Sequence, residues 1–323
     1  MSETTSSNYK PNKTRLITML LGIIVLALLG WYLYQNRDVF STLENITAGR
    51  IAMMVLLEVF IYLLGSFLNY SMIRRFGFHV SYLDSVMLQY SNSFLNKVMP
   101  TIGAGAAFRA VYLKKKYQFP YAQFLSTLGG LYLINFVAIA LIGLFCMLVF
   151  YLQEGQTNWV ITLAFLALLL PSLYIAFFSP EIPERDNRIF KTVRSIASGW
   201  NILKQDRFHV WVYTFVVILM LFLSAWQMLI SFQSLGFQTG LIPVLFLSSL
   251  WIILSFLNFT PDGIGVREVV YVFVSNLVQI PDTILVLGSL VLRGLSICTS
   301  MVIGGVSYWY MLREIRELEE KEV

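Results

Sequence analysis

The chain has 323 residues, of which 57% are hydrophobic and 13% are charged, and its formal net charge is +5. Soluble domains carry about 25% charged residues, so this composition excludes an ordinary water-soluble protein. The two cysteines, Cys146 and Cys298, lie in apolar segments and indicate neither a disulfide framework nor a thiol metal site.

The N-terminal region combines a basic leader, residues 1–15, with an uncharged apolar segment at 16–34. Secretory signals also begin in this way. This segment, however, has the length of a spanning helix, about 20 residues. It also ends in aromatic residues, Trp31, Tyr32 and Tyr34, and lacks a small-residue cleavage site. We therefore predict a cytoplasmic tail followed by a retained membrane anchor.

Six segments are long and apolar enough to cross the hydrocarbon core as helices. In chain order they are residues 16–34, 51–73, 124–150, 159–178, 210–232 and 283–311. The sequence thus predicts an all-α integral membrane protein with six full transmembrane helices.

Two further apolar segments, residues 82–113 and 241–279, are interrupted by proline and glycine, which stop helices. The arms of the first are about 21 and 15 Å long at helical rise, so each reaches roughly the membrane midplane. We predict that both segments form re-entrant helical hairpins. The breaks contain, in order, Pro100, Gly103, Gly105, Pro261, Gly263 and Gly265.

Basic residues predict how these hairpins enter the membrane, because Lys and Arg in short loops favour the cytoplasmic side. Arg74 and Arg75 precede the first hairpin, and residues 114–116, all lysine, follow it, so this hairpin should enter and leave by the cytoplasmic face. The loops beside the second hairpin, 233–240 and 280–282, contain no basic residue. The second hairpin should therefore enter from the outside.

The resulting order is span, span, hairpin, span, repeated in the opposite orientation, which is an inverted-topology repeat. The first half comprises residues 16–179, and residues 210–312 complete the second. A short tail at 313–323 should lie inside, like the N-terminus, in a multi-pass protein of the cytoplasmic membrane.

The linker at 180–209 is basic and places apolar residues at helical spacing, which predicts an amphipathic helix on the inner leaflet. Two interpretations stay open for it. It either binds anionic lipid or is a positive-inside loop with no binding role.

Irregular backbone at membrane depth requires partners from protein or from a water-filled cavity, so the two hairpin tips predict a shared polar cavity. The second arm of each hairpin directs free N–H groups and the positive end of its dipole at the break, which suits phosphate or carboxylate. Ionisable side chains within membrane segments normally face a partner or a cavity. The predicted headgroup ligands are Asn96, Lys97, Arg109, Asn258, Arg267 and Glu268.

Glu58 and Arg293 are predicted to set the cavity charge or to gate the cavity. Structural ion pairing is the alternative for these two residues. For Lys97 and Arg109 the alternative is that their charged ends reach toward the interface.

Two motifs around the breaks resemble those of the membrane flippase-like domain of the lysylphosphatidylglycerol synthetase family. The first is Gly105-Ala106-Ala107-Phe108-Arg109 after Pro100, where Ala106 replaces the usual acid. The second, more specific, is Pro261-Asp262-Gly263-Ile264-Gly265-Val266-Arg267-Glu268, where Asp262 replaces a glycine. The resemblance covers about residues 16 to 312, and we expect the stand-alone form that lacks the aminoacyl-transfer domain. It implies proteins that move or hold lipids with charged headgroups.

The leading functional hypothesis is a lipid flippase or transporter that binds an anionic phospholipid or a lipid-linked phosphate between the hairpins. The alternatives are an intramembrane lipid-phosphate transferase and a scaffold for a separate, soluble lipid-modifying synthetase. The sequence contains no HExxH, CxxC or Gly-x-Ser-x-Gly motif, and an enzyme is not the first expectation. No cofactor, metal or nucleic acid is expected, whereas a soluble transferase partner and a homo-oligomer are both compatible with the sequence.

Overall fold

The computed structural model describes residues 31, 34, 43, 44, 46–99, 103–155, 157–178, 188–256, 263 and 265–322. Regular structure within these ranges is helical throughout. The helices are α1 (Ala48–Arg75), α2 (Tyr82–Val98), α3 (Ala104–Tyr117), α4 (Tyr121–Glu154), α5 (Trp159–Phe178), α6 (Arg188–Leu203), α7 (Arg207–Ser234), α8 (Leu241–Phe256), α9 (Val266–Phe273), α10 (Ser275–Val278), α11 (Asp282–Thr299) and α12 (Gly305–Glu322). A π-helical turn, Ser300–Gly304, joins α11 to α12.

Five helical segments in the described part of the chain are long and apolar enough to cross a membrane: α1, α4, α5, α7 and the joined α11–α12. They contain the predicted spans at 51–73, 124–150, 159–178, 210–232 and 283–311. The predicted anchor at 16–34 lies outside the described residues, apart from Trp31 and Tyr34.

Several helix ends meet at one end of the molecule, which we call the basic pole. The end of α1 joins the start of α7 through Arg75 Nη2 and Asp206 Oδ2, 2.5 Å apart. Lys116 at the end of α3 contacts Asp84 of α2 at 2.8 Å and Glu314 of α12 at 2.6 Å. The basic residues that gather here include Arg74, Arg75, Lys114, Lys115, Lys116, Lys204, Arg207 and Arg313.

The opposite pole joins the other ends of the same helices. Arg50, at the start of α1, donates to the carbonyl of Gln233, at the end of α7, at 3.1 Å. A pocket of about 240 Å³ at this pole is lined by the end of α4, the start of α8 and the end of α10, at Phe150, Gly240 and Val278.

Helices α2 and α3 form an antiparallel pair whose outer ends lie at the basic pole. At the inner end, the backbone N–H of Gly105 donates to Asn96 Oδ1 at 3.1 Å. Gly103 begins the second arm with a φ of +84°. A Cβ on Gly105 would lie 2.4 Å from the carbonyl oxygen of Asn92, so only glycine allows the arms to pack this closely.

Helix α8 pairs with α9 and α10 in the opposite direction. The hydroxyl of Tyr271 in α9 donates to the carbonyl of Leu247 in α8 at 3.2 Å. The outer ends of this pair meet at the pole opposite the basic one, and Gly263 and Gly265 lie at its inner end with φ of +66° and +84°. The two broken helical pairs therefore open toward opposite poles.

Helix α6 falls within the segment that was predicted to be an inner-leaflet linker. It crosses α4 near the basic pole, where Gly199 packs so closely on Ser126 and Gly130 that a Cβ would overlap the Ser126 carbonyl. Small residues allow two helix backbones to approach in this way. Trp200 also donates its indole N–H to the carbonyl of Ala176 in α5 at 2.9 Å. The C-terminal half of α6 thus packs against α4 and α5.

Candidate functional site

The inner ends of both broken pairs meet on one turn of α11. From the first pair, Lys97 Nζ donates to Ser296 Oγ and to Ser300 Oγ, both at 2.7 Å. At the second pair, Arg293 Nη2 of α11 donates to the carbonyl of Gly263 at 3.3 Å. Arg293 and Ser296 are three residues apart, or about 4.5 Å at helical rise. One short piece of α11 therefore contacts both broken pairs.

A cavity of about 180 Å³ lies beside this turn. Its walls come from α1, α7, α8, α9 and α11, and its lining includes Glu58, Tyr62, Gln227, Trp251, Arg267 and Arg293. The structure thus brings three of the charged residues selected from the sequence into one chamber.

Glu268 holds the arginines of this chamber in place. Its Oε2 accepts the backbone N–H of Gly265 at 2.8 Å, which caps α9, and its Oε1 accepts the Ser289 hydroxyl at 2.7 Å. Oε1 also lies 3.4 Å from Arg293 Nη2 and 3.7 Å from Arg267 Nε. Because both carboxylate oxygens are engaged, this residue is built to fix the cations.

Arg267 is the cation whose guanidinium stacks on an aromatic ring of the cavity. It lies over the Trp251 ring at 3.9 Å from the ring centroid, and its Nη2 donates to the carbonyl of Ser289 at 3.2 Å. Such a cation–π contact gains strength when it is desolvated, and Arg267 is 6% exposed. The arrangement presents a preoriented planar cation to the cavity.

Lys97 and Glu58 complete the charged cluster. Glu58 is 5% exposed and accepts a hydrogen bond from Thr299 Oγ1 at 3.0 Å. It also interacts electrostatically with Lys97. Together with Arg267, Glu268 and Arg293, the cluster contains three cations against two carboxylates. When all five groups are ionised, one net positive charge is left, which favours an anionic guest.

Arg109 lies apart from this cluster. It is 7% exposed and donates from Nη2 to Asn69 Oδ1 of α1 at 2.5 Å. Its guanidinium lies 5.7 Å from the centroid of the Phe124 ring of α4. The structure therefore places Arg109 between α1 and α4, whereas Asn96, also predicted as a ligand, caps α3 as described above.

Three predicted positions, Asn258, Pro100 and Pro261, lie outside the described residues. The glycines of the breaks, in contrast, have clear structural roles. Gly103, Gly263 and Gly265 adopt positive φ, which side chains oppose, and Gly105 has no room for a Cβ.

Sequence reasoning missed Trp251 and the serines that surround the charges. Ser289, Ser296 and Ser300 share one face of the last helical segment with Arg293, at positions that differ by 3 to 4 residues. This spacing is visible in the sequence and could have identified the face. Trp251 carries no comparable signal, because an apolar helix accepts tryptophan at many positions.

The fold and the site define a class: a helical, multi-pass membrane protein with a buried charge cluster where two oppositely directed broken helical pairs meet. Within that class, the chain belongs to the family described as the lysylphosphatidylglycerol synthase TM region, whose family model matches residues 19–304. The family resemblance seen in the two motifs is confirmed.

A curated relative matches nearly the whole chain. It is a UPF0104 membrane protein of Methanocaldococcus jannaschii, 21% identical over 328 residues, which cover 94% of this chain and 97% of the relative. No solved structure matches the chain.

Proposed function

We propose that the protein binds the anionic headgroup of a phospholipid or of a lipid-linked phosphate in the central cavity and moves that lipid between leaflets. The observation that carries the proposal is the pair of buried guanidiniums, Arg267 and Arg293, lining a cavity where the two halves meet. Guanidiniums bind phosphate through paired, charge-assisted hydrogen bonds. A buried cationic cavity inside a membrane protein is suited to this chemistry.

The proposal includes a topology in which α2–α3 and α8–α10 are re-entrant hairpins that enter from opposite faces. Two observations support it. The outer ends of α2 and α3 meet at the basic pole, whereas those of α8 and α10 meet at the opposite pole. Basic residues gather at the pole where α2 begins and α3 ends. By the positive-inside rule, this pole faces the cytoplasm.

Labelling of single cysteines tests this topology. In a variant without Cys146 and Cys298, cysteines that replace Arg75 and Lys115 should react with an impermeant maleimide only from the inside. A cysteine at Arg50 should react from the outside. Reaction of positions 75 and 115 from different faces would refute the re-entrant arrangement.

Movement of the lipid would follow from rocking one half against the other, as in transporters built from inverted repeats. On α11, Lys97 of the first half donates to Ser296 and Ser300 of the second half, and Arg293 holds the second broken pair at Gly263. A headgroup that binds Arg293 and Arg267 would sit at this contact. Its binding can therefore bias the position of the two halves.

Transfer of a fluorescent phosphatidylglycerol in proteoliposomes tests the proposed function. Arg267→Ala should abolish transfer in protein that still inserts and folds, because the phosphate loses a charge-assisted donor. Arg267→Lys should retain part of the activity, since lysine keeps the charge but loses the planar fork and the stack on Trp251. Arg313→Ala, which removes an exposed cation of the C-terminal helix, is the matched control. Wild-type transfer in Arg267→Ala would remove this residue from the site.

The same vesicles test the transferase alternative, which Glu58 favours as a carboxylate positioned in the cavity beside cations. A carboxylate in such a place could serve as a general acid or base. Mass spectrometry of the recovered lipid separates the two functions: an unchanged lipid on the other leaflet supports transport, and a chemically modified lipid supports the enzyme.

A further inference from the structure

Glu58 is a buried carboxylate inside a helix that is suited to span the membrane. It follows Ala48, the start of α1, by ten residues, which places it about 15 Å along a helix of 28 residues. Its surroundings differ from those of Glu268, which lies between two arginines. A neutral hydroxyl, that of Thr299, donates a hydrogen bond to Glu58.

A cluster of hydroxyl groups surrounds the Glu58 carboxylate and the Lys97 ammonium. Lys97 Nζ contacts Ser93 Oγ at 3.0 Å in addition to Ser296 and Ser300. Ser93 Oγ lies 2.8 Å from Ser300 Oγ and 2.6 Å from the hydroxyl of Tyr62. Each hydroxyl both donates and accepts. The cluster can therefore rearrange its hydrogen bonds when Glu58 gains or loses a proton.

The charged and titratable groups that face Glu58 come from each element around it. Tyr62 lies on the same helix, Lys97 and Tyr90 lie on α2, and Arg267 and Arg293 line the same cavity from α9 and α11. The residues that α7 contributes to the same cavity wall, among them Ser224 and Gln227, are neutral. Protonation of Glu58 would raise the net charge of the cluster from one positive charge to two. An anion in the cavity would then be held more strongly.

From this geometry we infer that Glu58 is a proton-binding site linked to the anion site, so that a proton and an anionic headgroup bind the cavity together. The linkage is reciprocal, because a group that raises the affinity for a second ligand is itself bound more tightly in the presence of that ligand. Carboxylates inside membrane spans are characteristic of proton relays in transporters. The inference rests on the proposed function, to which it adds a coupling ion.

Binding measurements test the linkage without transport. Calorimetric titration of the detergent-solubilised protein with dihexanoyl phosphatidic acid, in two buffers of different ionisation enthalpy, reports the protons taken up on binding. We expect net uptake by the wild type across the pH range in which Glu58 titrates. Affinity should rise about 5- to 150-fold as the pH falls through that range, the usual extent of coupling between two sites. Parallel titrations with phosphatidylglycerol, whose phosphate stays singly charged, report the proton uptake without a contribution from ionisation of the lipid.

Glu58→Gln isolates the carboxylate, because it holds the side chain neutral at nearly constant shape. This variant should bind either lipid with no proton uptake by the protein, and its affinity for phosphatidylglycerol should no longer change with pH. Glu317→Gln, at an exposed carboxylate of α12, should behave like the wild type. Identical proton uptake by Glu58→Gln and the wild type would overturn the inference.

A transport assay separates failure of this inference from failure of the proposed function. In proteoliposomes, a pH gradient should change the initial rate of fluorescent phosphatidylglycerol transfer by the wild type, and Glu58→Gln should lose this response. Transfer that proceeds equally with and without the gradient would reject proton coupling and leave the transport function intact. Absence of any transfer, together with absence of binding, would reject the proposed function itself.

Discussion

Replacement of Glu268 by glutamine would test whether its charge organises the site. The native carboxylate accepts from Gly265 and Ser289 and lies beside the guanidiniums of Arg267 and Arg293. Glutamine has nearly the same shape, but its NH2 group replaces one of the two accepting oxygens. That NH2 group would face a donor, either the Gly265 N–H or the Ser289 hydroxyl, and the hydrogen bond would be lost. The substitution would also leave two buried cations without their shared counter-charge.

The expected loss follows from the burial of all three partners, each at most 7% exposed. A mismatched buried hydrogen bond alone costs about 1–3 kcal/mol, whereas removal of one member of a buried ion pair costs about 3–5 kcal/mol. The second effect should dominate, because the guanidiniums are almost fully buried. We therefore expect the free energy of unfolding to fall by about 3–5 kcal/mol.

The assay is equilibrium unfolding in mixed micelles titrated with dodecyl sulfate. Glu317→Gln is the matched control, because it removes a carboxylate whose partner Arg313 is exposed, and such surface pairs contribute about 0–1 kcal/mol. Adding Arg293→Met to Glu268→Gln should recover part of the loss, since it removes one of the uncompensated charges. A loss below about 1 kcal/mol in Glu268→Gln, or no recovery in the double variant, would refute the reasoning.

Two further predictions concern the first helical pair and the basic pole. Gly105→Ala should destabilise the protein by about 1–3 kcal/mol through overpacking against the Asn92 carbonyl, whereas Gly49→Ala, where nothing lies within 4 Å, should not; thermal unfolding of the purified variants decides this. Hydrogen bonding from Arg75 lowers the pKa of Asp206 to about 2, below its unfolded value of about 3.9. The stability that this contact contributes should thus be complete above about pH 4 and be lost as the pH falls toward 2. Thermal melting followed over this pH range should show the loss in the wild type and not in Asp206→Asn.

Much of the fold could be predicted because it depends on local properties of the sequence. The five spans within the described residues coincide with helices, and the arms on either side of each break are helical. Proline and glycine end helices whatever surrounds them. The continuation of the last helix to Glu322, through a π-helical turn at Ser300, was not predicted, because its final turns are polar and lie beyond the apolar segment.

The candidate site could be predicted only in part. Each ionisable residue inside an apolar segment can be recognised singly, because such a residue is costly unless it has a partner. Its partner cannot be recognised in that way. Arg109 and Arg267 follow similar glycine motifs, yet Arg109 contacts Asn69 and Phe124, whereas Arg267 stacks on Trp251 and lines the cavity.

The sequence by itself determined that the chain is a multi-pass membrane protein and where most of its helices lie. These properties depend on transfer free energies and backbone hydrogen bonding, which act residue by residue or within one segment. Only the tertiary structure decided which charges meet. Lys97, Arg293 and Glu58 come from three separate segments, and they share one site because the inner ends of both helical pairs pack on the same turn of α11.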